Sequence, residues 1–124
     1  MLKLFISLPM NGLSDDEIKA NIAEAKVEAE RIMGQPMELL ETLFDFPEST
    51  HPLVYLGESL KKMAEANVVY FHLGWKQASG CFVEHIAAVK YGKYIIGWGQ
   101  ESVKMDGGKK DGRTEVEAMP LLWL

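Results

Sequence analysis

The sequence predicts an α/β fold, a small doubly wound parallel sheet with helices on both faces. Three observations predict it. Short apolar runs alternate with amphipathic runs at helical spacing, the pattern of repeated βαβ units. Gly, Pro and Asn punctuate the junctions between runs. The 124 residues amount to one domain, long enough to bury a core without cross-links.

Each element has a local cause. Residues 2–8 (LKLFISL) are apolar and end at Pro9 and Asn11-Gly12, so they read as a buried strand. Ser14 and Glu17 form a capping-box pair at the start of a helix. Ile18, Ile22, Ala25, Ala29 and Ile32 then recur at helical spacing, with Glu and Lys opposite. Gly34 and Pro36 stop that helix. Residues 37–44 (MELLETLF) read as a second strand, although the pattern fits a helix equally. Residues 45–52 are a loop with two prolines. Leu56, Leu60, Met63 and Ala64 mark a second helix. Residues 68–73 (VVYFHL) are the clearest strand. Residues 74–80 form a loop, and a helix over 81–91 turns Phe82, Ile86 and Val89 inward. Gly92-Lys93 breaks it, and residues 94–98 (YIIGW) are a further strand. Residues 101–115 are polar and glycine-bearing, an exposed loop or hairpin. Residues 121–124 close the sheet as an edge strand. The result is a flavodoxin- or Rossmann-like sheet of four to five strands with right-handed crossovers. Residues 1–124 form one domain, of which 98–124 are a loop and C-terminal tail.

Composition excludes several functions. Lys and Arg total 13 against 18 Asp and Glu, a net charge of −5. That balance suits neither a nucleic-acid polymer nor an anionic membrane. A single cysteine, Cys81, cannot form an internal disulfide. No apolar run approaches the roughly 20 residues of a membrane span. The first ten residues lack the pattern of a signal peptide. The expected location is the cytoplasm.

In open α/β sheets a ligand sits beyond the carboxyl ends of the strands, where strand order reverses. If the strand order is 2-1-3-4, that crevice lies between the first and third strands. Two loops flank it, residues 7–14 (SLPMNGLS) and 73–84 (LGWKQASGCFVE). In the first, Ser7, Pro9, Met10, Asn11 and Gly12 precede a helix whose free amides suit an anion such as phosphate. The same residues also read as a plain strand-to-helix turn. In the second, Ser79-Gly80 opens a helix with Glu84 in its first turn, where the dipole favours an ionised carboxylate. A carboxylate facing a crevice can attack an anomeric carbon. A glutamate placed only to suit the dipole is the plainer alternative. Gly74 belongs to the same loop, and Trp75 either stacks on a base or covers apolar surface. His72 ends a strand at the crevice, either as a ligand contact or as a satisfied strand-end histidine. Asp45 and His51 follow the second strand, as ligand contacts or solvated loop residues. Cys81 and His85 have metal-pair spacing, but three His and one Cys do not complete a soft site. No metal and no cofactor is expected.

The segments FISLPMNG, EANVVYF and GWKQASGCFVEHIAAVKYGKYII resemble the nucleoside 2-deoxyribosyltransferase-like superfamily. They cover most of residues 2–97. Within it the chain is similar to a branch of short proteins of bacteria and their phages. That branch carries Gly-Trp after a strand, then Gly-Cys, a Glu three residues after the Cys, and a following His. Gly74, Trp75, Gly80, Cys81, Glu84 and His85 meet the pattern. The resemblance implies Glu84 as a nucleophile on C1′ of a deoxyribonucleoside, with the sugar then passing to another base or to water. It implies Ser79 and Gly80 near a phosphate or sugar hydroxyl, and Ser7, Asn11 and Gly12 in a second phosphate-facing loop.

Two departures divide the functional expectation. The catalytic families carry an Asp in the helix before the third strand, where this chain has Ser59 beside Glu58. They also often carry an aromatic hydroxyl on the first strand, where Phe5 stands here. A missing acid matters, since general acid help is worth ~100- to 10,000-fold. One hypothesis is an enzyme that cleaves or exchanges the N-glycosidic bond of a nucleotide or deoxynucleoside. The other is a binding protein that holds a nucleotide intact, such as a phage protein sequestering an ADP-ribose-derived immune signal. An empty structural domain ranks below both. The expected partner is a nucleoside or nucleotide, with no nucleic-acid polymer and no membrane. Trp98, Leu121, Leu122, Trp123 and Leu124 suggest an apolar interface and a homodimer or higher homo-oligomer, or else an edge strand packed on its own core.

Overall fold

The structure, a computed structural model, describes residues 1–99. The loop expected at 101–115, the edge strand at 121–124 and the apolar Leu121, Leu122, Trp123 and Leu124 lie outside the described residues. The elements run β1 (Leu2–Ser7), α1 (Asp15–Met33), β2 (Met37–Leu39), α2 (Pro52–Ala64), β3 (Val68–Phe71), a 3-10 turn (Trp75–Gln77), α3 (Ser79–Lys90) and β4 (Tyr94–Gly97). The described strands form one parallel sheet in the order β2-β1-β3-β4. This is the expected doubly wound α/β arrangement.

Local chemistry sets the bounds of α1. The Ser14 hydroxyl accepts from the Glu17 amide at 3.2 Å, and the Glu17 carboxylate accepts from the Ser14 amide at 2.8 Å. Gly34 ends the helix in the left-handed region and donates its N–H to the Glu30 carbonyl. At α2, His51 Nδ1 accepts from the Leu53 amide at 3.1 Å, and Pro52 opens the helix. His51 is therefore a helix cap.

Crossovers of one hand dictate which face each helix covers. The β1-to-β2 step runs one way across the sheet, and the β2-to-β3 and β3-to-β4 steps run the other. α2 and α3 therefore share a face, and α1 takes the opposite one. Two cores result. Leu4, Ile6, Val68, Tyr70 and Ile96 pack with Ala25 and Ala29 of α1. Phe5, Val69 and Phe71 pack with Met63, Cys81 and Ala88 of α2 and α3.

Two elements differ from expectation. β2 stops at Leu39, not residue 44. Leu40 donates the last ladder hydrogen bond, to the Leu4 carbonyl at 2.9 Å, and is buried in the α2–α3 core; Thr42 is buried beyond the pairing. The apolar run records burial by packing, which sequence periodicity cannot separate from pairing. α3 begins at Ser79, two residues early, and its buried residues are Cys81, Glu84 and Ala88. Phe82, Ile86 and Val89 are only half-buried. Small side chains at Cys81 and Ala88 let the helix approach the sheet closely, and Phe82 packs at the margin of that core.

No helix among the described residues is long and apolar enough to cross a membrane.

Candidate active site

β1 and β3 are neighbours, and the chain leaves them toward opposite faces, so a crevice opens beyond their carboxyl ends. The two flanking loops touch there. The His72 amide donates to the Ser7 carbonyl at 2.9 Å. Gly74 has φ of 90°, and a Cβ on it would lie 3.4 Å from Pro9 Cγ. Glycine is required there by its left-handed backbone.

Glu84 faces this junction. It is the sixth residue of α3, on the helix face that packs toward the sheet, and is only 7% exposed. Ser7, buried at the end of β1, donates its hydroxyl to Glu84 Oε1 at 2.5 Å. The Ser59 hydroxyl of α2 is near enough to favour the ionised carboxylate. Burial pushes the Glu84 carboxyl up to about 7, and the two serines hold it below what burial alone would give. This corrects the expectation of a first-turn carboxylate kept ionised by the dipole. With α3 opening at Ser79, Glu84 is its sixth residue and lies beyond the first turn, which contains no acidic residue. Desolvation governs the group instead.

Cys81 lies one turn before Glu84. Burial pushes its thiol up to about 11; the Ser7 hydroxyl opposes this, and the Glu84 charge adds to it. No group of three or more His, Cys, Asp or Glu among the described residues is arranged to hold a metal ion.

The remaining candidates separate. Trp75 is buried, stacked on His85 at 4.1 Å and 24°, with Phe71 at 5.2 Å. Its Nε1 donates to the Trp98 carbonyl at 2.7 Å. The indole is a core plug, and its ring is not presented to a base. His72 continues the β3 alternation onto the α1 side, with its ring 6.1 Å from Tyr70. Burial lowers its pKa, Glu24 opposes that, and its buried Nδ1 has no hydrogen-bond partner. His72 and Glu84 therefore belong to opposite faces of the sheet. Asp45 is exposed between β2 and α2.

The two helix N-termini at the crevice differ in the way that matters for an anion. At α1 the cap amides are taken by Ser14 and Glu17, and Asp15, Asp16 and Glu17 crowd its first turn. Phosphate is repelled there. Asn11 and Gly12 are an exposed turn, with Met10 and Pro9 half-buried behind it, and the Ser7 hydroxyl is committed to Glu84. α3 has Ala78 at its N-cap with no side-chain cap, and Ser79 and Gly80 are exposed. Its first amides are the ones open to an anionic or hydroxyl-bearing ligand. Leu13, Leu53, Val54 and Leu73 are exposed on the loops and helix start at this same end of the sheet.

The resemblance sets Ser59 at the position of the families' Asp, and the structure brings it near Glu84; no local pattern could have found that proximity, because pairing α2 with α3 is a tertiary event. Sequence reasoning missed a groove beside α1, whose one sequence signal was Val27 on the otherwise polar face of that helix. Comparison with known proteins finds no matching family model, no matching curated protein and no matching solved structure.

Proposed function

We propose that the protein acts on the N-glycosidic bond of a nucleotide or deoxynucleoside, with Glu84 as the nucleophile. The observation that supports this best is a buried carboxyl at the strand-order reversal, oriented by the Ser7 hydroxyl at the end of β1. In the reaction a Glu84 carboxylate oxygen bonds to C1′ as the bond to the base breaks. The base leaves with the electron pair and takes up a proton. Water or a second base then attacks C1′ and releases the carboxylate. Ser7 holds Oε1, which fixes the carboxyl plane relative to the incoming carbon. Ser79 and Gly80 at the open start of α3 would receive a phosphate or sugar hydroxyl. The attacking form is ionised, so turnover rises with pH through about 7.

One observation favours a second reading. The α2 group that meets Glu84 is Ser59, which is no acid at neutral pH. Its neighbour Glu58 is paired with Lys61 at 3.1 Å. A binding protein that holds a nucleotide intact, with Glu84 on a ribose hydroxyl, needs no acid. Incubation with deoxynucleoside monophosphates, nucleosides and cyclic ADP-ribose-type nucleotides, followed by mass spectrometry, separates the two. Free base from wild type, absent with Glu84→Ala and Glu84→Gln, is the expected result. Intact nucleotide recovered from denatured protein, with no base released, would replace catalysis by binding.

A further inference from the structure

If Glu84 attacks C1′ as proposed above, the groups around it restrict which base can leave. Ser7 donates to the carboxyl, Ser59 is near it, and Cys81 lies one turn before it. None of them yields a proton readily at neutral pH. Two are alcohols, and burial pushes the Cys81 thiol up to about 11. The His85 ring is stacked on Trp75 and set edge-on to Phe71. Glu58 is paired with Lys61, and His72 belongs to the other face of the sheet, beside Tyr70. An ordinary purine or pyrimidine leaves slowly from such a site, because it departs as an anion unless a proton reaches it. General acid help at that step is worth ~100- to 10,000-fold.

The entrance adds a second restriction. All the described strands are parallel, so every strand-to-helix loop lies at their carboxyl ends, where the crevice opens. These loops and the first helical turns that follow them carry Asp15, Asp16, Glu17, Glu41, Asp45 and Glu48, all exposed. Among the described residues of the same loops and turns, Lys76 is the one Lys or Arg, and its ammonium lies 5.7 Å from the centre of the Trp75 ring. Residues 100–124 add five acidic and four basic side chains, and so no net positive charge. Carboxylates around a mouth concentrate cations there and repel phosphates.

A nucleoside with a quaternised base meets both restrictions. We propose that the substrate is a nucleoside without phosphate whose base carries a fixed positive charge, such as a 7-alkylated purine. A Glu84 carboxylate oxygen bonds to C1′ while the C1′–N bond breaks. The electron pair of that bond cancels the charge on the base, which leaves neutral with no proton needed. The glycosyl ester left behind is neutral as well. Water then attacks C1′, the carboxylate departs, and the proton of the water passes to solvent. Ser79 and Gly80 at the open start of α3 meet a sugar hydroxyl in place of a phosphate.

A matched pair of substrates tests this. Base release from 7-methyl-2′-deoxyguanosine and from 2′-deoxyguanosine is followed by liquid chromatography, each corrected for its rate without protein. The methylated nucleoside should have the higher kcat/KM by at least about 100-fold, the least that a missing acid withholds from its unmethylated twin. Release should vanish in Glu84→Gln. Comparable cleavage of the two nucleosides would overturn the proposal and leave the glycosidic reading standing. Release from neither, or release that survives Glu84→Gln, would overturn both. The 5′-monophosphate of the methylated nucleoside should show a KM at least about tenfold higher. A lower KM for the monophosphate would equally overturn the choice of a phosphate-free substrate.

Discussion

Glu84 is enclosed by hydroxyls, with no cation within ion-pair distance among the described residues. Hydroxyls steady a carboxylate less than a guanidinium does, so the proton is held near neutrality. Ser7 favours the ionised form, and Ser7→Ala should therefore move the Glu84 titration upward. Carbon-detected NMR of the glutamate carboxyl reads that movement directly, and an unchanged midpoint would mean that Ser7 merely fills space. The same change should cost about 1–2 kcal/mol of stability, the usual penalty for leaving one buried partner unpaired. The position of Ser7 and Glu84 at the crevice was legible, because each lies at an element boundary with local signals. Their contact and the charge state were not. Both depend on how deeply α3 sinks toward the sheet, which Cys81 and Ala88 permit and no local pattern announces. Trp75 illustrates the same limit: its loop position suggests a ligand platform, and tertiary packing turns it inward onto His85.

At the scale of elements, α1 was readable to its ends because its caps are built from neighbours in sequence. β2 was not, because Thr42 is buried beyond the last bond to β1, which Leu40 makes. β4 carries the strictest backbone demand. Gly97 has φ of 111°, and a Cβ on it would fall within contact distance of the Phe71 backbone. Trp98 meanwhile donates its amide to the Phe71 carbonyl at 2.9 Å. Gly97→Ala should lower stability by at least about 2 kcal/mol. Gly57 is the contrast, a helical glycine in α2 with open space around it. Gly57→Ala should raise stability by about 0.5–1 kcal/mol. Urea unfolding of both variants checks the pair, and equal effects would mean that backbone conformation is not what distinguishes them.

For the whole molecule, alternation of apolar and amphipathic runs was enough to give the parallel sheet, whereas the place where its order reverses followed only from supposing the order 2-1-3-4, which the structure has. The α1 groove stayed hidden, because it is the part of a face that no described element covers. Stability as a function of pH is also a property of the whole. Burial raises Glu84 from 4.5 to about 7, so between these values the folded chain holds a proton that the unfolded chain has lost. Stability therefore falls as pH rises from about 4.5 to about 7 and levels off above, a loss on the order of 3 kcal/mol. Glu84→Gln should flatten that fall in urea titrations at about pH 5 and about pH 8. A slope that survives the substitution would place the responsible proton elsewhere.

The Trp75 indole, bonded to the carbonyl of Trp98, is a strut between the loop that opens α3 and the chain leaving β4. Through it the two regions share mechanical load. A ligand that tightens the loop also tightens the exit of β4, and tension applied beyond Trp98 reaches the start of α3. Whatever free energy passes through the strut is the same in both directions, since linkage is reciprocal. The mouth of the crevice and the far edge of the sheet are thereby two ends of one lever.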